Sequence, residues 1–422
     1  MLQNEIRSIK TVERVDAEIT VPPSKSYMNR ALIAASLAED QSTIINPSES
    51  DDSNYLLNAL KEFGVKIWKN DSQLHIVGTN GKPNVPAKEL FIGNAGTAIR
   101  FLSSFAGIPA GITTLTGDDD MKRRPMNDLL DALRTAGVKS SSANGYPPLK
   151  IHGGKFIGGD IPLKANISSQ FVSSILLSAP YARHPTNLQV HGKLSSLPYV
   201  DMSLQVMRTF GGKVDFIEPS TYYIYNSERY IGQEYTIEGD ASSASYFFAA
   251  AAITKGTVRI KNLSSESLQG DIKFLDILSQ MGCKITKGED FIEVRGADLL
   301  GVEVDMNEIP DCVPTASIVA AFAQNATTIT NIPQLKYKET NRLKAISTEL
   351  TKLGAKVELY EDSVIIHPRP LKGVTIDTYN DHRLAMSFAI AGLRVPKIQI
   401  TNPSCVSKSF PRFWDEFAKL EN

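Results

Sequence analysis

Two patterns of apolar residues alternate along the chain of 422 residues. The first places apolar residues mostly at i, i+1, i+3, i+4 and i+7, which predicts a helix with one core-facing stripe. Its copies read LLNALKEFGVKI, LLDALRTAGVKS, SLQVMRTFGGKV, FLDILSQMGCKI and ISTELTKLGAKV, and the C-terminal FWDEFAKL is expected to be the sixth. Five copies end in a glycine, at Gly64, Gly137, Gly211, Gly282 and Gly354. Glycine adopts the left-handed conformation that commonly ends a helix, and a β-rich run follows.

The second pattern is a helix rich in apolar residues followed by a strand. Its six copies read NRALIAASLAEDQSTIIN, AIRFLSSFAGIPAGITTLTG, FVSSILLSAPYARHPTNLQV, ASYFFAAAAITKGTVRIKN, TASIVAAFAQNATTITN and RLAMSFAIAGLRVPKIQITN. Together the two patterns repeat every 70 residues or so, and six such units account for the chain. A period this long with mixed α and β content predicts an α/β fold of βαβ-containing units in compact domains, not a solenoid.

A chain of this length is expected to form two domains, and three units fit in each. The chain is expected to cross between them near Val21, where Pro22-Pro23 cannot continue a β-ladder, and near Ile237. This predicts one domain of residues 1–20 plus 237–422, containing both termini. The second domain would comprise residues 21–236, with hinges near 20–22 and 236–239.

Composition excludes several classes of protein. The chain has 45 basic and 46 acidic residues, a formal charge of −1, so it has no overall attraction to nucleic acid or to anionic lipid. Its three cysteines form no C-x-x-C pair, and neither a signal sequence nor an apolar run of a membrane span is present. We therefore expect a cytoplasmic protein with no nucleic-acid or membrane partner.

Several helices are predicted to begin with a cation, where the helix dipole makes positive charge unfavourable. These residues are Lys25, Arg30, Arg100 and Arg383. Polar residues at any one helix start are explained by capping alone, and the charges in MKRRPM, YKETNR and KSFPRFW by solvation. Repetition at equivalent positions instead indicates function, because helix N-termini with added Lys or Arg bind anions. Several such sites facing one cleft would hold a substrate with more than one anionic group.

Ten motifs spread over residues 22–413 match a known family. They are PPSKSYMNRAL, GNAGTAIR, MKRRPM, SSQF, SLPYVD, GDASSASYF, IPDCVPTA, KETNR, YNDHRLAM and KSFPRF. In this order they resemble the 5-enolpyruvylshikimate-3-phosphate (EPSP) synthase family of enolpyruvyl transferases. The resemblance implies an inside-out α/β barrel of two domains, each with three βαβαββ repeats, and an active site in the interdomain cleft. It also implies transfer of enolpyruvyl from phosphoenolpyruvate to the 5-hydroxyl of shikimate 3-phosphate by addition and elimination, releasing phosphate.

Matching motifs carry the family's site residues over to this chain. The implied shikimate 3-phosphate ligands are Lys25, Ser26, Arg30, Ser168, Ser169, Gln170, Ser196, Tyr199, Asp311, Gln334 and Lys338. The implied phosphoenolpyruvate ligands are Lys25, Gly96, Arg124, Gln170, Arg342, Arg383 and Lys408. The implied catalytic groups are Asp311 as the base near the 5-hydroxyl and Glu339 or Lys25 as the acid near C3 of phosphoenolpyruvate.

The resemblance assigns shikimate 3-phosphate mainly to the 21–236 domain, and phosphoenolpyruvate and the acid–base pair to the other. No metal or organic cofactor is expected, and a monomer is implied. Because Gly96 is retained, inhibition by glyphosate at the phosphoenolpyruvate position is expected. Two residues depart from the family pattern: Asn341 stands where Asp is usual, and Phe101 where Pro is frequent.

Two other functions remain open at this point. A sister enzyme transfers enolpyruvyl to UDP-N-acetylglucosamine, but it typically has a reactive cysteine in a loop that corresponds to residues 111–124, which contain none. A non-catalytic repeat protein is the second alternative. Cys312 is interpreted as a buried helix residue and not as a nucleophile. His382 is interpreted as a local hydrogen-bonding residue and not as a metal ligand.

Overall fold

The computed structural model describes residues 5–165, 167–192 and 194–421. Within them, the two sequence patterns form twelve α-helices that alternate along the chain. The helices of the apolar pattern are α1 (Lys25–Leu37), α3 (Gly96–Phe105), α5 (Ser169–Ser178), α7 (Ala241–Thr254), α9 (Val313–Ala321) and α11 (His382–Gly392). Those of the one-sided pattern are α2 (Asp51–Glu62), α4 (Asn127–Thr135), α6 (Pro198–Thr209), α8 (Phe274–Gln280), α10 (Arg342–Leu353) and α12 (Phe413–Ala418).

The five glycines predicted to end helices all have positive φ. The values are 83° for Gly64, 89° for Gly137, 88° for Gly211, 105° for Gly282 and 118° for Gly354. A side chain with a Cβ is disfavoured in this region, which explains the recurrence of glycine at these positions. The predicted helix ends are therefore confirmed.

Differences in burial separate the two kinds of helix. Every residue of α7, α9 and α11 is buried, as are eleven of the thirteen residues of α1. Only five of the twelve residues of α2 are buried. A helix that is apolar on all sides must lie inside its domain, whereas an amphipathic helix covers it from outside. Each unit thus has its apolar helices at its centre.

Six sheets are built to one plan. Three of them lie between residues 23 and 238. Their strand orders are β14 (Glu234–Thr236), β3 (Gln41–Ile45), β5 (Gln73–Val77), β4 (Lys66–Asn70); β6 (Leu90–Phe91), β7 (Ile112–Thr116), β9 (Tyr146–His152), β8 (Lys139–Ala143); and β10 (Gly159–Lys164), β11 (Thr186–His191), β13 (Thr221–Ile224), β12 (Val214–Ile217). In each, the first two strands are parallel and the last two form an antiparallel hairpin.

The other three sheets follow the same order. They run β2 (Asp16–Ile19), β15 (Thr257–Ile260), β17 (Ile292–Arg295), β16 (Lys284–Lys287); β18 (Glu303–Asp305), β19 (Thr327–Thr330), β21 (Val364–His367), β20 (Lys356–Leu359); and β22 (Thr375–Ile376), β23 (Gln399–Thr401), β1 (Ile6–Ser8). In the last sheet, N-terminal β1 pairs antiparallel with β23 in place of the hairpin. The α/β class with six repeats is confirmed.

The chain divides into two compact units. The first unit comprises Met1–Pro22 and Gly239–Asn422, and the second comprises Pro23–Glu238. Strand β2, which precedes the first crossing of the chain, pairs with β15 of the first unit, and β14 pairs with β3 of the second. Each crossing strand therefore belongs to a sheet of its own unit. No helix in the described ranges is long and apolar enough to cross a membrane.

The helix-ending glycines lead to a stability prediction. Substituting Gly282→Ala places a Cβ at φ 105°, and the nearest atom, the carbonyl oxygen of Asp298, is 3.2 Å away. The cost combines the unfavourable conformation with a tight contact to this backbone oxygen, and we expect a loss of about 1 kcal/mol in the free energy of unfolding, measured by urea titration. Gly282→Asn is the matched control, since Asn tolerates the left-handed region better, and it should lose less. Equal losses for the two variants would contradict the conformational explanation.

Candidate active site

Arg342 lies at the centre of a buried charge cluster in the first unit. It is the first residue of α10, and its side chain is 1% exposed. Its Nε lies 2.7 Å from Oδ2 of Asp381, its Nη1 3.0 Å from Oδ1 of Asp311, and its Nη2 2.6 Å from Oε2 of Glu339. Burial lowers the pKa of Arg342, but the three carboxylates raise it above its ordinary value. They also offset the unfavourable position of a cation at a helix N-terminus.

Asp311 accepts hydrogen bonds from three cations. Its Oδ1 accepts from Lys338 Nζ at 3.2 Å as well as from Arg342, and its Oδ2 accepts from Arg383 Nη2 at 2.7 Å. Burial raises the pKa of this carboxyl, but Arg383, Lys338 and Arg342 hold it well below its usual range. The side chain is 17% exposed. Asp311 is therefore an ionised carboxylate. Its basicity depends on how closely these three cations contact it and not other anionic groups.

Glu339 and Lys408 complete the cluster. Glu339 Oε1 lies 3.9 Å from Lys408 Nζ, and both side chains are 10% exposed. The structure thus brings together six residues predicted from motifs: Asp311, Lys338, Glu339, Arg342, Arg383 and Lys408. In the described structure, Gln334 has no hydrogen bond to this cluster. Its Nε2 donates to the carbonyl of Asn307 at 3.2 Å.

Two residues of the cluster were missed by sequence reasoning. Asp381 caps α11 by accepting from Arg383 N, and it also accepts two hydrogen bonds from Arg342. Tyr246 on α7 accepts from Arg383 Nη1 at 3.1 Å. The capping role of Asp381 was visible in NDHR, but its ion pair with a residue 39 positions away was not. Tyr246 is one apolar-pattern residue among many and had no sequence signal.

Asp271 adds a further carboxyl beside this cluster. It is 5% exposed and accepts a hydrogen bond from the hydroxyl of Ser242, in the first turn of α7. Burial, together with the negative charge of Asp311, raises the pKa of Asp271 to about 6. Asp271 thus holds a proton more tightly than an exposed aspartic acid.

In the second unit, Lys25 and Arg30 lie on α1. Lys25 Nζ is 3.0 Å from Oδ2 of Asp52, a buried residue of α2 that was not predicted. Arg30 is 1% exposed and donates to the carbonyls of Ser26 at 2.8 Å and Tyr199 at 2.7 Å. Burial lowers the pKa of Arg30 to about 10. The predicted Ser26, Arg30 and Tyr199 therefore meet.

Gly96 begins α3 next to two guanidinium groups. A Cβ on Gly96 would lie 2.1 Å from Nη1 of Arg124 and 3.3 Å from Nη1 of Arg100. Gln170 accepts from Arg100 Nη1 and donates from Nε2 to Thr97 at 3.1 Å. The structure thus gathers Gly96, Arg124 and Gln170 at one helix start. Arg100 was noted as a cation in a first turn but was not predicted as a site residue.

The predicted phosphate-binding serines lie at the starts of α5 and α6. Ser168 caps α5 by accepting from Gln170 N at 3.3 Å, and Ser169 is its first residue. Ser196 precedes α6 with φ 62°, a left-handed conformation rare for serine.

The two departures from the family pattern have local explanations. Asn341 caps α10, and its Oδ1 accepts from Lys344 N at 3.1 Å, a role that Asn and Asp perform equally well. Phe101 is fully buried, and its ring centroid lies 5.4 Å from the guanidinium carbon of Arg30. Cys312 is buried, which raises the pKa of its thiol well above the ordinary value. It is a core residue with an unreactive thiol.

The arrangement suits chemistry on a polyanion. Each unit presents Lys and Arg side chains at helix starts, where backbone N–H groups also favour anions. The first unit adds two carboxylates, Asp311 and Glu339, on the same guanidinium, which is a suitable pair for general acid–base catalysis. In the described ranges, no group of three or more His, Cys, Asp or Glu could hold a metal ion.

The raised pKa of Asp271 leads to a stability prediction with a defined sign. A proton bound more tightly in the folded state stabilises it fully below the unfolded pKa of about 4, and this stabilisation is lost as pH rises through 6. The variant Asp271→Asn cannot ionise. It should match the wild type near pH 4 and be more stable by about 2 kcal/mol at pH 7.5, measured by urea unfolding. Asp276→Asn, at an exposed position nearby, should show no such trend, and a pH-independent difference for Asp271→Asn would contradict the assignment.

Comparisons with known proteins agree with the motifs. The chain matches the family model for EPSP synthase (3-phosphoshikimate 1-carboxyvinyltransferase) over residues 9–417. It is 43% identical over 413 residues to the 3-phosphoshikimate 1-carboxyvinyltransferase of Trichormus variabilis, covering 96% of both chains. It is 42% identical over 420 residues to the protein of the same name from Serratia proteamaculans, covering 98% of both.

Solved structures show the same relationship. EPSP synthase from Acinetobacter baumannii is similar with a TM-score of 0.83 and 26% identity, covering 98% of each chain. The enolpyruvyl transferase NikO from Streptomyces tendae has a TM-score of 0.77 and 17% identity, covering 98% of this chain and 96% of that one, which establishes a common fold. The resemblance found in the motifs is confirmed, and the chain belongs to the EPSP synthase family of enolpyruvyl transferases.

Proposed function

We propose that the protein transfers the enolpyruvyl group of phosphoenolpyruvate to the 5-hydroxyl of shikimate 3-phosphate and releases phosphate. The observation that carries this proposal is the pair Asp311 and Glu339 held on the guanidinium of Arg342. The two substrates together bring two carboxylates and two phosphates, which require several cations. Membership of the EPSP synthase family selects this reaction among those that an acid–base pair in a cationic site can perform.

Asp311 is proposed to take the proton of the 5-hydroxyl as its oxygen attacks C2 of phosphoenolpyruvate. Three cations hold the pKa of Asp311 well below its usual range, so with these contacts it is a weak base. Anionic substrate groups that share Arg342, Arg383 and Lys338 would reduce the positive field on the carboxylate and raise its basicity. Substrate binding therefore prepares the base.

C3 of phosphoenolpyruvate gains a proton in the addition step. Glu339 and Lys25 are the two candidate donors, and Glu339 is held by Arg342 at 2.6 Å. The resulting tetrahedral adduct then loses a proton from C3 and expels phosphate, which restores the double bond. The same groups can serve both steps in opposite directions.

Shikimate 3-phosphate is proposed to bind mainly to the second unit. Ser26 and Arg30 would hold its carboxylate, and three serines its phosphate, with Gln170 and Tyr199 beside them. Arg30 already donates four hydrogen bonds within its unit, so only one of its five N–H groups is left for a ligand. The three serines proposed to hold the phosphate are Ser168, Ser169 and Ser196. Asp311, Gln334 and Lys338 of the first unit would also contact this substrate.

Phosphoenolpyruvate is proposed to bind to cations of both units. The groups are Lys25, Gly96, Arg124, Gln170, Arg342, Arg383 and Lys408. A planar guanidinium group can donate two parallel hydrogen bonds to two oxygens of a carboxylate or of a phosphate. We further propose a cytoplasmic monomer that glyphosate inhibits at this position.

Phosphate release tests the proposal directly. Purified protein with phosphoenolpyruvate should release phosphate when shikimate 3-phosphate is added, and not with UDP-N-acetylglucosamine. Asp311→Asn and Glu339→Gln should each lower kcat by about 10²- to 10⁴-fold, the usual contribution of a positioned acid or base. Glu361→Gln, which removes an exposed charge, is the control and should be fully active. Phosphate release with the sugar nucleotide but not with shikimate 3-phosphate would reassign the acceptor. If neither acceptor led to phosphate release, the non-catalytic alternative would be favoured.

A second prediction concerns the missing Cβ of Gly96. In Gly96→Ala the new methyl would displace the Arg124 guanidinium from its position against α3. We expect the KM for phosphoenolpyruvate to rise about tenfold, and inhibition by glyphosate to weaken, because a misplaced binding group costs affinity. Gly107→Ala, a Cβ added just past the other end of α3, should leave both values unchanged. An unchanged KM in Gly96→Ala would show that Arg124 does not bind phosphoenolpyruvate where it lies here.

A further inference from the structure

Helix α10 carries a second buried charge besides Arg342. Glu349 lies seven residues further along, on the same face of the helix, and is 0% exposed. Its Oε2 accepts from the backbone N of Asp377 at 3.1 Å, and its Oε1 accepts from the hydroxyl of Tyr379 at 2.8 Å. Both partners belong to the segment that precedes α11.

That segment, residues 377–381, has an unusual conformation. Tyr379 and Asn380 are consecutive non-glycine residues in the left-handed region, with φ 50° and 55°. Such a conformation persists only when the surrounding contacts hold it. Within the segment, Tyr379 N donates to Oδ1 of Asp377 at 3.0 Å and Asp381 N donates to the carbonyl of Thr378 at 2.8 Å. From the other side, Thr401 accepts from Thr378 N at 3.3 Å and Asn402 donates to Asn380 Oδ1 at 3.0 Å, so contacts outside the segment also hold the turn.

Helix α10 anchors the turn at two points. Glu349 holds its beginning, and Arg342 binds Asp381 at its end through Nε at 2.7 Å and Nη2 at 3.2 Å. Two residues after Asp381 comes Arg383, whose guanidinium contacts Asp311. A shift at the beginning of the turn would thus be transmitted directly to the start of α11, which carries Arg383.

We propose that Glu349 is a positioning residue that fixes the 377–381 turn and, through it, the orientation of Asp381 and Arg383 toward Asp311. A glutamate buried solely for packing would be a poor choice, since an unpaired buried carboxylate is unfavourable. Here its oxygens accept two hydrogen bonds from the turn, in addition to one from Lys352 on its own helix. This inference rests on the proposed function, because Arg383 is assigned there to phosphoenolpyruvate.

Two variants test the inference. Glu349→Gln keeps the size of the side chain but replaces the charged acceptor by a neutral amide, so the charge-assisted hydrogen bonds to the turn are weakened. Tyr379→Phe removes one hydroxyl from a half-buried ring and leaves the rest of the turn unchanged. We expect the KM for phosphoenolpyruvate to rise about tenfold or more in Glu349→Gln and by a smaller factor in Tyr379→Phe. The KM for shikimate 3-phosphate, which is bound mainly by the second unit, should change less than twofold.

The control variant is Lys352→Gln. Lys352 forms an ion pair with Glu349 at 2.7 Å, but its side chain is 43% exposed and it does not touch the turn. It should leave both KM values unchanged. If Lys352→Gln had the same effect as Glu349→Gln, the ion pair of Glu349 with Lys352 and not its hydrogen bonds to the turn would matter, and the inference would be wrong.

The remaining outcomes separate this inference from the proposed function. A wild type that releases no phosphate with shikimate 3-phosphate fails the proposed function itself, whatever the variants do. An active wild type with unchanged KM for phosphoenolpyruvate in both variants overturns the role of Glu349. So does an equal change for the two substrates, accompanied by a lower unfolding midpoint, because it would indicate a purely structural role.

Discussion

The interaction on which the first unit depends is the contact of one guanidinium with three carboxylates. A buried Arg at a helix start is unfavourable through both desolvation and the helix dipole, and Arg342 is accommodated because Asp311, Glu339 and Asp381 surround it. These carboxylates come from different elements, so the contact also fixes the start of α10 against the starts of α9 and α11. The same contacts therefore neutralise the charge of Arg342 and fix the geometry of the site.

The balance of charges also explains how so many charged side chains can be stable close together. Each of the four cations of this cluster has a carboxylate partner, including Lys408 at 3.9 Å from Glu339 and Arg383 at 2.7 Å from Asp311. An anionic substrate must exchange with these partners instead of filling unpaired positions. In such an exchange the carboxylates lose neighbouring positive charge, and their affinity for protons increases. Binding and activation of the base are thus coupled by simple electrostatics.

Repetition of the fold places equivalent helix starts together. On the apolar helices of the first unit, Ser245, Thr315 and Ser387 meet through hydroxyl contacts of 3.2 Å, one residue from each of α7, α9 and α11. Ser104 and Ser174 make a similar contact between α3 and α5 in the second unit, at 2.6 Å. Small hydroxyl residues allow the helices to approach closely while their polar groups are satisfied. In the first unit, charged residues at the starts of the helices are consequently close to one another.

Much of this could be predicted from the sequence, because the signals are local. Helix periodicity and the closing glycines identified eleven of the twelve helices, and FWDEFAKL the last, since each depends on a few neighbouring residues. Cations at helix starts indicate anion-binding sites independently of any family resemblance. Contacts between distant segments could not be predicted in this way. In the sequence, Asp381, Asp52 and Glu349 are ordinary polar or capping residues. Only the folded chain brings Asp381 to Arg342, Asp52 to Lys25, and Glu349 to the 377–381 turn.

The most direct test of the central constraint is Arg342→Lys, which keeps the positive charge but removes the planar group that contacts three carboxylates at once. The quantity to measure is kcat/KM for phosphoenolpyruvate at saturating shikimate 3-phosphate, with binding of shikimate 3-phosphate as evidence that the second unit is intact. If the geometry of the guanidinium organises the site, kcat/KM falls by about 100-fold or more. If Lys supports turnover within a few-fold of the wild type, positive charge alone is sufficient and the account given for Arg342 is wrong.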